Sequence, residues 1–178
     1  MAASPDPGLW MEAGQEAGLL LSAQQGDCDA FLELVAHYRF PLYRLAYALT
    51  RNENDARVLA RDAFVLAWKN LKSLPVSRPI YPWLVRSVRN LSSNFRKRRT
   101  DGRGLGHASA SPRERATVMA YAELGIDDQV ILALRLIQHL TYEDLSTVLE
   151  VPTRTAMSRL TTAREQVRSR AAKLPGGA

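Results

Sequence analysis

Apolar residues recur at helical spacing along most of the chain, and strand signals are weak throughout. Two stretches show the i, i+3, i+4, i+7 spacing of one helical face: Phe31, Leu34, Val35 and Tyr38, and then Leu42, Leu45, Ala46 and Leu49. Pro41 lies between them and is expected to interrupt the helix. Asn52 or Asn54 is a candidate N-cap for the next helix, which is predicted to run to about Leu71. The pattern therefore predicts an all-α protein.

The helical pattern breaks at two places. Leu74 to Pro82 contains three prolines and predicts a loop, with Pro82 suited to the first position of the next helix. Residues 100–112 are rich in glycine and serine, which predicts a flexible linker. We therefore expect two small helical domains, residues 16–99 and 113–172. Residues 1–15 are expected to form a disordered N-terminal extension.

Two short helices separated by a tight turn are predicted in the second domain. Thr141 and Asp144 have the spacing of a capping box, and Glu150 to Pro152 is a break after which Thr153 can cap the next helix. That helix has an apolar face and a free face of hydroxyl and arginine side chains. Such a pair is typical of a helix-turn-helix, whose free face contacts phosphates and base edges. A plain helical hairpin is the alternative.

Charge is distributed unevenly along the chain, whose formal net charge is +6. Residues 1–38 hold six acidic residues and no Lys or Arg, whereas residues 39–100 hold 14 basic and three acidic residues. The segment from Arg86 to Arg99 is densest, with six basic residues and no acidic one. A localised excess of this kind indicates a polyanionic partner, and a solvated basic helix end is the alternative.

Two further stretches suggest binding surfaces. The predicted helix up to Leu71 is apolar around most of its circumference, as in a helix that is buried on several sides or that lends one face to a partner. Beyond it, Tyr81 and Trp83 stand beside Arg86 and Arg89. Aromatic rings that stack on bases, together with cations that follow the backbone, are typical of single-stranded nucleic-acid binding. A core position for Trp83 is an equal alternative.

Several function classes receive no support from the sequence. Cys28 is the only cysteine and the three histidines lie far apart, so neither a disulfide framework nor a metal site is expected. No phosphate-binding loop or nucleophile elbow is present, so no catalytic residue and no cofactor are predicted. No signal peptide or long apolar run is found. A cytoplasmic protein without membrane insertion is expected.

Four stretches together resemble one known family. They are Gly26–Phe31 with Leu34, Val35 and Tyr38; Asp55-Ala56 with Asp62–Phe64 and Ala67-Trp68; Trp83-Leu84 with Arg86 and Asn90; and Leu140–Leu145 with Ser158–Leu160 and Ala163–Glu165. In order and spacing they are similar to the extracytoplasmic-function sigma factors, the small two-domain members of the sigma-70 family of bacterial RNA polymerase specificity subunits. The similarity covers roughly Leu19 to Arg168.

The resemblance implies an alternative sigma factor that binds core RNA polymerase, recognises the −35 and −10 promoter elements and aids promoter melting. The positions that it implies for polymerase binding are Asp55, Arg61, Asp62, Phe64 and Trp68. Those for −10 binding and melting are Ser77, Arg78, Tyr81, Trp83, Arg86, Arg89, Asn90, Arg96 and Lys97. Those for −35 binding are Thr153, Arg154, Thr155, Met157, Ser158, Arg159, Thr161 and Thr162. The expected partners are bacterial core RNA polymerase, promoter DNA and, as for many relatives, an anti-sigma factor.

The sequence departs from the family pattern at some of these positions. Arg57 and Arg61 stand where acidic or glutamine-like residues are usual, and Arg154 and Met157 replace a small and a basic residue. The second departure implies an unusual −35 preference. Two other classes remain open at this stage. One is a polymerase-independent helix-turn-helix regulator, and the other is a helical adaptor that sequesters a protein partner.

Overall fold

The structure, a computed structural model, describes residues 9–98 and 111–175. Within these ranges all regular structure is helical, which confirms the predicted all-α class. The eight α-helices are α1 (Ala13–Gln24), α2 (Cys28–Thr50), α3 (Glu53–Lys69), α4 (Tyr81–Arg98), α5 (Pro112–Ala122), α6 (Ile126–Leu136), α7 (Tyr142–Leu149) and α8 (Thr153–Ala171). A short 3₁₀ turn, Leu71–Ser73, follows α3.

Side-chain caps explain where several helices begin. Asn52 caps α3, because its Oδ1 accepts a hydrogen bond from the Asp55 N–H at 3.0 Å. Ser111 and Glu114 form a capping box at the start of α5, and Thr141 and Asp144 form the predicted one at the start of α7. These side chains satisfy backbone N–H groups that have no partner within the helix.

The structure corrects three local predictions. Pro82 is the second residue of α4 rather than the first, since the helix begins at Tyr81. Pro41 does not interrupt a helix, since α2 continues from Cys28 to Thr50 with Pro41 inside it. Pro41 removes one helical hydrogen bond, yet the apolar stripe on both sides of it stays buried, with Tyr38 and Leu42 at 0% exposure. Thr153 is the first residue of α8 rather than its cap. Pro152 holds the N-cap position, without a side-chain hydrogen bond.

The first half of the chain, α1 to α4, is built around α2. Its central side chains are Tyr38, Leu42 and Leu45, each at 0% exposure. Helices α1, α3 and α4 all pack against α2. Within the predicted N-terminal extension, Leu9 is buried and α1 begins at Ala13. This arrangement leaves the outer face of α3 and the loop before α4 at the surface.

The second half, α5 to α8, packs around Leu134, Leu145 and Leu160, which belong to the same apolar cluster as the core of the first half. Helix α8 packs against α5, α6 and α7. The two halves also contact each other, α6 against α2 and α7 against α4. The predicted linker, residues 100–112, lies outside the described residues except for Ser111 and Pro112, which begin α5.

Candidate functional site

One face of α3 carries the residues predicted to bind polymerase. The opposite face is buried through small side chains such as Ala56, Ala60 and Ala63, which let α3 approach its neighbours closely. Outward, Val65 and Trp68 remain 44% and 41% exposed. This face of α3 therefore has an apolar centre, formed by Val65 and Trp68, that α1, α2 and α4 leave exposed.

Polar groups surround that apolar centre. The Trp68 ring packs on Phe31 of α2 with the ring centroids 5.0 Å apart, which fixes its orientation. Arg61 pairs with the adjacent Asp62 at 2.8 Å, and both remain accessible. Asp55 and Phe64 are half-buried. All five predicted residues thus lie on the accessible part of one helix.

A cavity of about 730 Å³ lies in front of the loop that joins α3 to α4. Leu74, Arg78 and Ile80 line it from the loop, and Trp83 and Arg86 line it from α4. A volume of several hundred cubic ångströms is typical of sites for small organic groups. Ser146, Thr147 and Glu150 of the second half form a further wall, so the predicted −10 loop borders a concave site with apolar, cationic and anionic walls.

Two residues of α1 hold this loop, and sequence reasoning did not find them. The Gln24 side-chain amide donates to the carbonyls of Leu71 and Leu74, at 2.9 and 2.8 Å. The buried Glu16 carboxylate accepts a hydrogen bond of 2.7 Å from the Ile80 N–H. Burial raises the pKa of Glu16, and the hydrogen bond from Ile80 opposes that rise only in part. Both ends of the loop are thereby fixed to α1.

Three of the arginines predicted for −10 binding, Arg78, Arg86 and Arg89, are paired with acids of the second half. Arg86 Nη1 donates to Glu150 Oε2 at 3.0 Å, and Arg78 lies 3.9 Å from the same carboxylate. Arg89 contacts both carboxylate oxygens of Asp127 through two guanidinium N–H groups. These hydrogen bonds raise the pKa of Arg89 and lower that of Asp127.

Tyr81 is fully buried, unlike the other predicted −10 residues whose side chains the structure describes. Its hydroxyl donates to Gln138 Oε1 at 2.5 Å, and Gln138 Nε2 donates to the Pro41 carbonyl at 2.9 Å. The Tyr81 ring stacks on Tyr38, with the centroids 5.4 Å apart. In this arrangement Tyr81 joins the two halves. Of the other predicted residues, Trp83 is half-buried, and Ser77 and Asn90 are exposed. The side chains of Arg96 and Lys97 lie outside the described part.

The predicted −35 face lies along α8. Ala156, Leu160 and Ala163 are buried against the rest of the second half. The residues predicted to contact DNA point away from that core, with Thr153 and Thr155 half-buried and the others exposed: Arg154, Met157, Ser158, Arg159, Thr161 and Thr162. Thr161 Oγ1 donates to the Met157 carbonyl at 3.0 Å, so its hydroxyl presents lone pairs outward. A polar, cationic helix face of this kind suits a major groove.

No group of three or more His, Cys, Asp or Glu side chains in the described residues is arranged to hold a metal ion. None of the described helices is long and apolar enough to cross a membrane.

Comparison with known proteins adds family information to this geometry. Residues 34–101 match the model for sigma-70 region 2. The chain is 34% identical over 79 residues to the ECF RNA polymerase sigma factor SigW of Bacillus subtilis, a match that spans 44% of this chain and 42% of that relative. It is also 28% identical over 177 residues to the RNA polymerase sigma-H factor of Pseudomonas aeruginosa, spanning 86% of this chain and 92% of the relative.

Solved structures share the fold. The structure of CnrH in complex with the cytosolic domain of CnrY matches with a TM-score of 0.66 at 21% identity, over 87% of this chain and 96% of that one. The sigma factor RpoE in complex with the anti-sigma factor NepR from Bartonella quintana matches with a TM-score of 0.56 at 22% identity, over 80% of this chain and 96% of that one. These two likenesses show that the chain shares the fold of those proteins. In sequence, the chain is similar to extracytoplasmic-function sigma factors and, over residues 34–101, to sigma-70 region 2.

Proposed function

We propose that this protein is an alternative sigma factor that binds core RNA polymerase through α3 and directs it to promoters through two DNA-binding surfaces. The match of residues 34–101 to sigma-70 region 2 carries the proposal, because it spans α3, the loop and α4 together. Sigma factors are regulatory subunits without an enzymatic activity of their own. The relatives named above support this function and give no support to a polymerase-independent regulator.

The outer face of α3 is the proposed polymerase contact. It combines the exposed apolar side chains Val65 and Trp68 with the Arg61–Asp62 pair at its edge. A central apolar anchor within a polar rim is the composition of a protein–protein interface. Asp55 and Phe64 extend the surface along the same helix.

The cavity bordered by the Leu74–Ile80 loop is the proposed site for a flipped-out base of the −10 element. Extruding a base costs a few kcal/mol, which a fitted cavity and ring stacking offset. Arg78, Arg86 and Arg89 are the proposed phosphate contacts beside it, together with Arg96 and Lys97. The −35 element is proposed to contact the exposed face of α8, from Thr153 to Thr162.

An anti-sigma factor is a further proposed partner. Both structural relatives were solved with a second protein bound, the cytosolic domain of CnrY in one case and the anti-sigma factor NepR in the other. The likeness in fold supports a comparable partner for this chain. A sigma factor acts where RNA polymerase is, so a cytoplasmic location is proposed as well.

Co-elution with bacterial core RNA polymerase, followed by run-off transcription from a genomic fragment library, tests the function. Wild-type protein is expected to form a complex and to give new start sites. Trp68→Ala is expected to weaken the complex at least tenfold, because interface aromatics contribute strongly to binding. Val65→Asp is a second variant, which leaves the Trp68–Phe31 packing in place.

Met157→Ala is the matched control, since Met157 is also an exposed apolar residue, at 45%, but lies on α8. It is expected to keep the polymerase complex and to change only −35 preference. Circular dichroism verifies that each variant is folded. Failure of wild-type protein to bind core polymerase would refute the proposed function. Equal weakening by the α3 and α8 variants would refute the placement of the contact on α3.

A further inference from the structure

One face of α1 lies against the loop that precedes α4. Glu16, Leu20 and Gln24 stand four residues apart on α1, so their side chains share one face of the helix, which we call the α1 stripe. Glu16 and Gln24 hydrogen-bond the backbone at the two ends of the loop, and Leu20 lines the cavity that the loop borders. The whole stripe is therefore directed at the loop and its cavity.

Glu16 fixes the end of the loop where α4 begins. Its carboxylate accepts the Ile80 N–H, and the Ile80 carbonyl accepts a hydrogen bond of 3.0 Å from the Leu84 N–H in the first turn of α4. In a capping box the third helical residue supplies the acceptor for such an N-cap N–H. Trp83 holds that third position in α4, and its indole is a donor only. Glu16 supplies the missing acceptor from another helix.

The burial of Glu16 is explained by this contact rather than by packing. Its side chain lies in a residue that is 4% exposed. Burying a carboxylate is destabilising unless hydrogen bonds compensate, and burial raises the pKa of Glu16 in spite of the bond from Ile80. An apolar side chain would fill the same space without that cost. The position of the loop is what a hydrogen-bond acceptor adds here.

Between its two fixed ends the loop has little conformational freedom. Pro75 and Pro79 restrict their own φ angles. The Arg78 N–H donates to the Pro75 carbonyl at 3.3 Å, which closes a turn within the loop. Leu20, at 1% exposure, forms part of the apolar wall of the cavity behind it. The shape of the cavity therefore depends on α1 as much as on the loop itself.

We propose that the α1 stripe sets the base preference at the −10 element, with Glu16 and Gln24 as positioning residues for the loop and Leu20 as a wall that meets the extruded base. The inference rests on the proposed function, since it takes the cavity as the site of a −10 base. Small displacements of positioned groups have large effects on the reactions they support, and pocket shape discriminates between ligands of different size. Helix α1 thereby contributes to promoter choice.

Run-off transcription with reconstituted holoenzyme tests the proposal. A promoter that wild-type protein uses is made in versions that carry each of the four bases at one −10 position, and the ratio of the best yield to the next best gives the preference. Gln24→Met keeps the length of the side chain but removes both hydrogen bonds to the loop. It is expected to lower this ratio by about threefold or more. Gln15→Met makes the same change at an exposed position of α1 and is expected to keep the wild-type ratio.

Leu20→Val is a second variant, which shortens the cavity wall and leaves both hydrogen bonds in place. It is expected to raise the yield from the purine versions relative to the pyrimidine versions by about twofold or more, because the larger bases gain room. Leu21→Val is its matched control, since Leu21 is the next residue of α1 but is 48% exposed. Circular dichroism verifies folding. Each preference is a ratio within one variant, so a reduced amount of active protein does not alter it.

A purely structural role for α1 predicts a different result. It would lower the yields from all promoter versions by one factor, and unchanged ratios for both Gln24→Met and Leu20→Val would overturn the proposal. Versions that differ at a −35 base are expected to keep the wild-type ratio, and an equal change there would overturn it too. Wild-type protein that forms no complex with core polymerase would refute the proposed function itself. A transcribing wild-type complex with unchanged variant ratios would refute only the role of the α1 stripe.

Discussion

Replacing Tyr81 with phenylalanine probes the contact between the two halves of the protein by deleting one oxygen atom. The Tyr81 hydroxyl is fully buried and donates to Gln138 Oε1 at 2.5 Å. Phenylalanine keeps the ring and its stacking on Tyr38. It leaves the buried Gln138 Oε1 without its donor. The variant thus isolates the hydrogen bond from the packing around it.

The expected loss follows from the unsatisfied acceptor. A buried polar group that loses its partner costs about 1–3 kcal/mol. For a chain of this size, each kcal/mol of lost stability lowers the melting temperature by roughly 2–4 °C. Gln138 stays anchored through its amide, which donates to the Pro41 carbonyl, so the acceptor cannot turn toward water.

Tyr38→Phe is the matched control, because Tyr38 is equally buried but its hydroxyl has no hydrogen-bond partner in the described structure. Burial and the nearby Glu16 carboxylate raise the pKa of Tyr38, so its hydroxyl stays neutral. Removing that hydroxyl is expected to leave the free energy of unfolding unchanged or to raise it, because a buried polar group without a partner is itself destabilising. Urea unfolding followed by circular dichroism measures both variants. Equal losses for Tyr38→Phe and Tyr81→Phe would refute the reasoning.

Two further predictions concern the first half. Glu16→Gln keeps an acceptor for the Ile80 N–H but removes the buried charge. The folded protein holds the Glu16 proton more tightly than the unfolded chain does. Wild-type stability therefore falls as the pH rises from 4.5 through the raised pKa of Glu16. The advantage of the Gln variant in urea unfolding should therefore grow from pH 4 to pH 8, and a constant difference would contradict the assignment. Asn52→Ala should lose about 1 kcal/mol because it removes the α3 cap, whereas Asn54→Ala, inside α3, should be neutral or slightly stabilising. Thermal melts of the two variants compare them directly, and an equal loss would argue against capping by Asn52.

Local patterns predicted most of the helices correctly. The buried stripe Leu42, Leu45 and Leu49 and the Thr141–Asp144 capping box lie where the sequence placed them, and the cap of α3 is Asn52, one of the two candidates. Each depends on residues three to seven positions apart, which is the range over which helical periodicity and capping act. The exposed face of α8 follows from the same periodicity.

Pro41 and Thr153 show where local reasoning was insufficient. A helix-breaking proline is tolerated in α2 because the burial of Tyr38 and Leu42 on either side of it outweighs one lost hydrogen bond. A hydroxyl suited to capping became the first helical residue because Pro152 already holds the extended backbone of an N-cap. Both outcomes were decided by neighbouring residues rather than by the propensity of the residue itself.

The sequence by itself determined the helical class, the pair of short helices α7 and α8 and the likeness to the extracytoplasmic-function sigma factors, because those properties depend on short-range spacing and on the order of motifs. Only the tertiary structure decided which side chains hold the Leu74–Ile80 loop and which acids pair with Arg78, Arg86 and Arg89. Glu16 and Gln24 contact groups 47 to 64 positions away, and Glu150 reaches Arg86 over a separation of 64 residues. No periodic signal links positions that far apart, since their contact arises from how the two halves pack against each other.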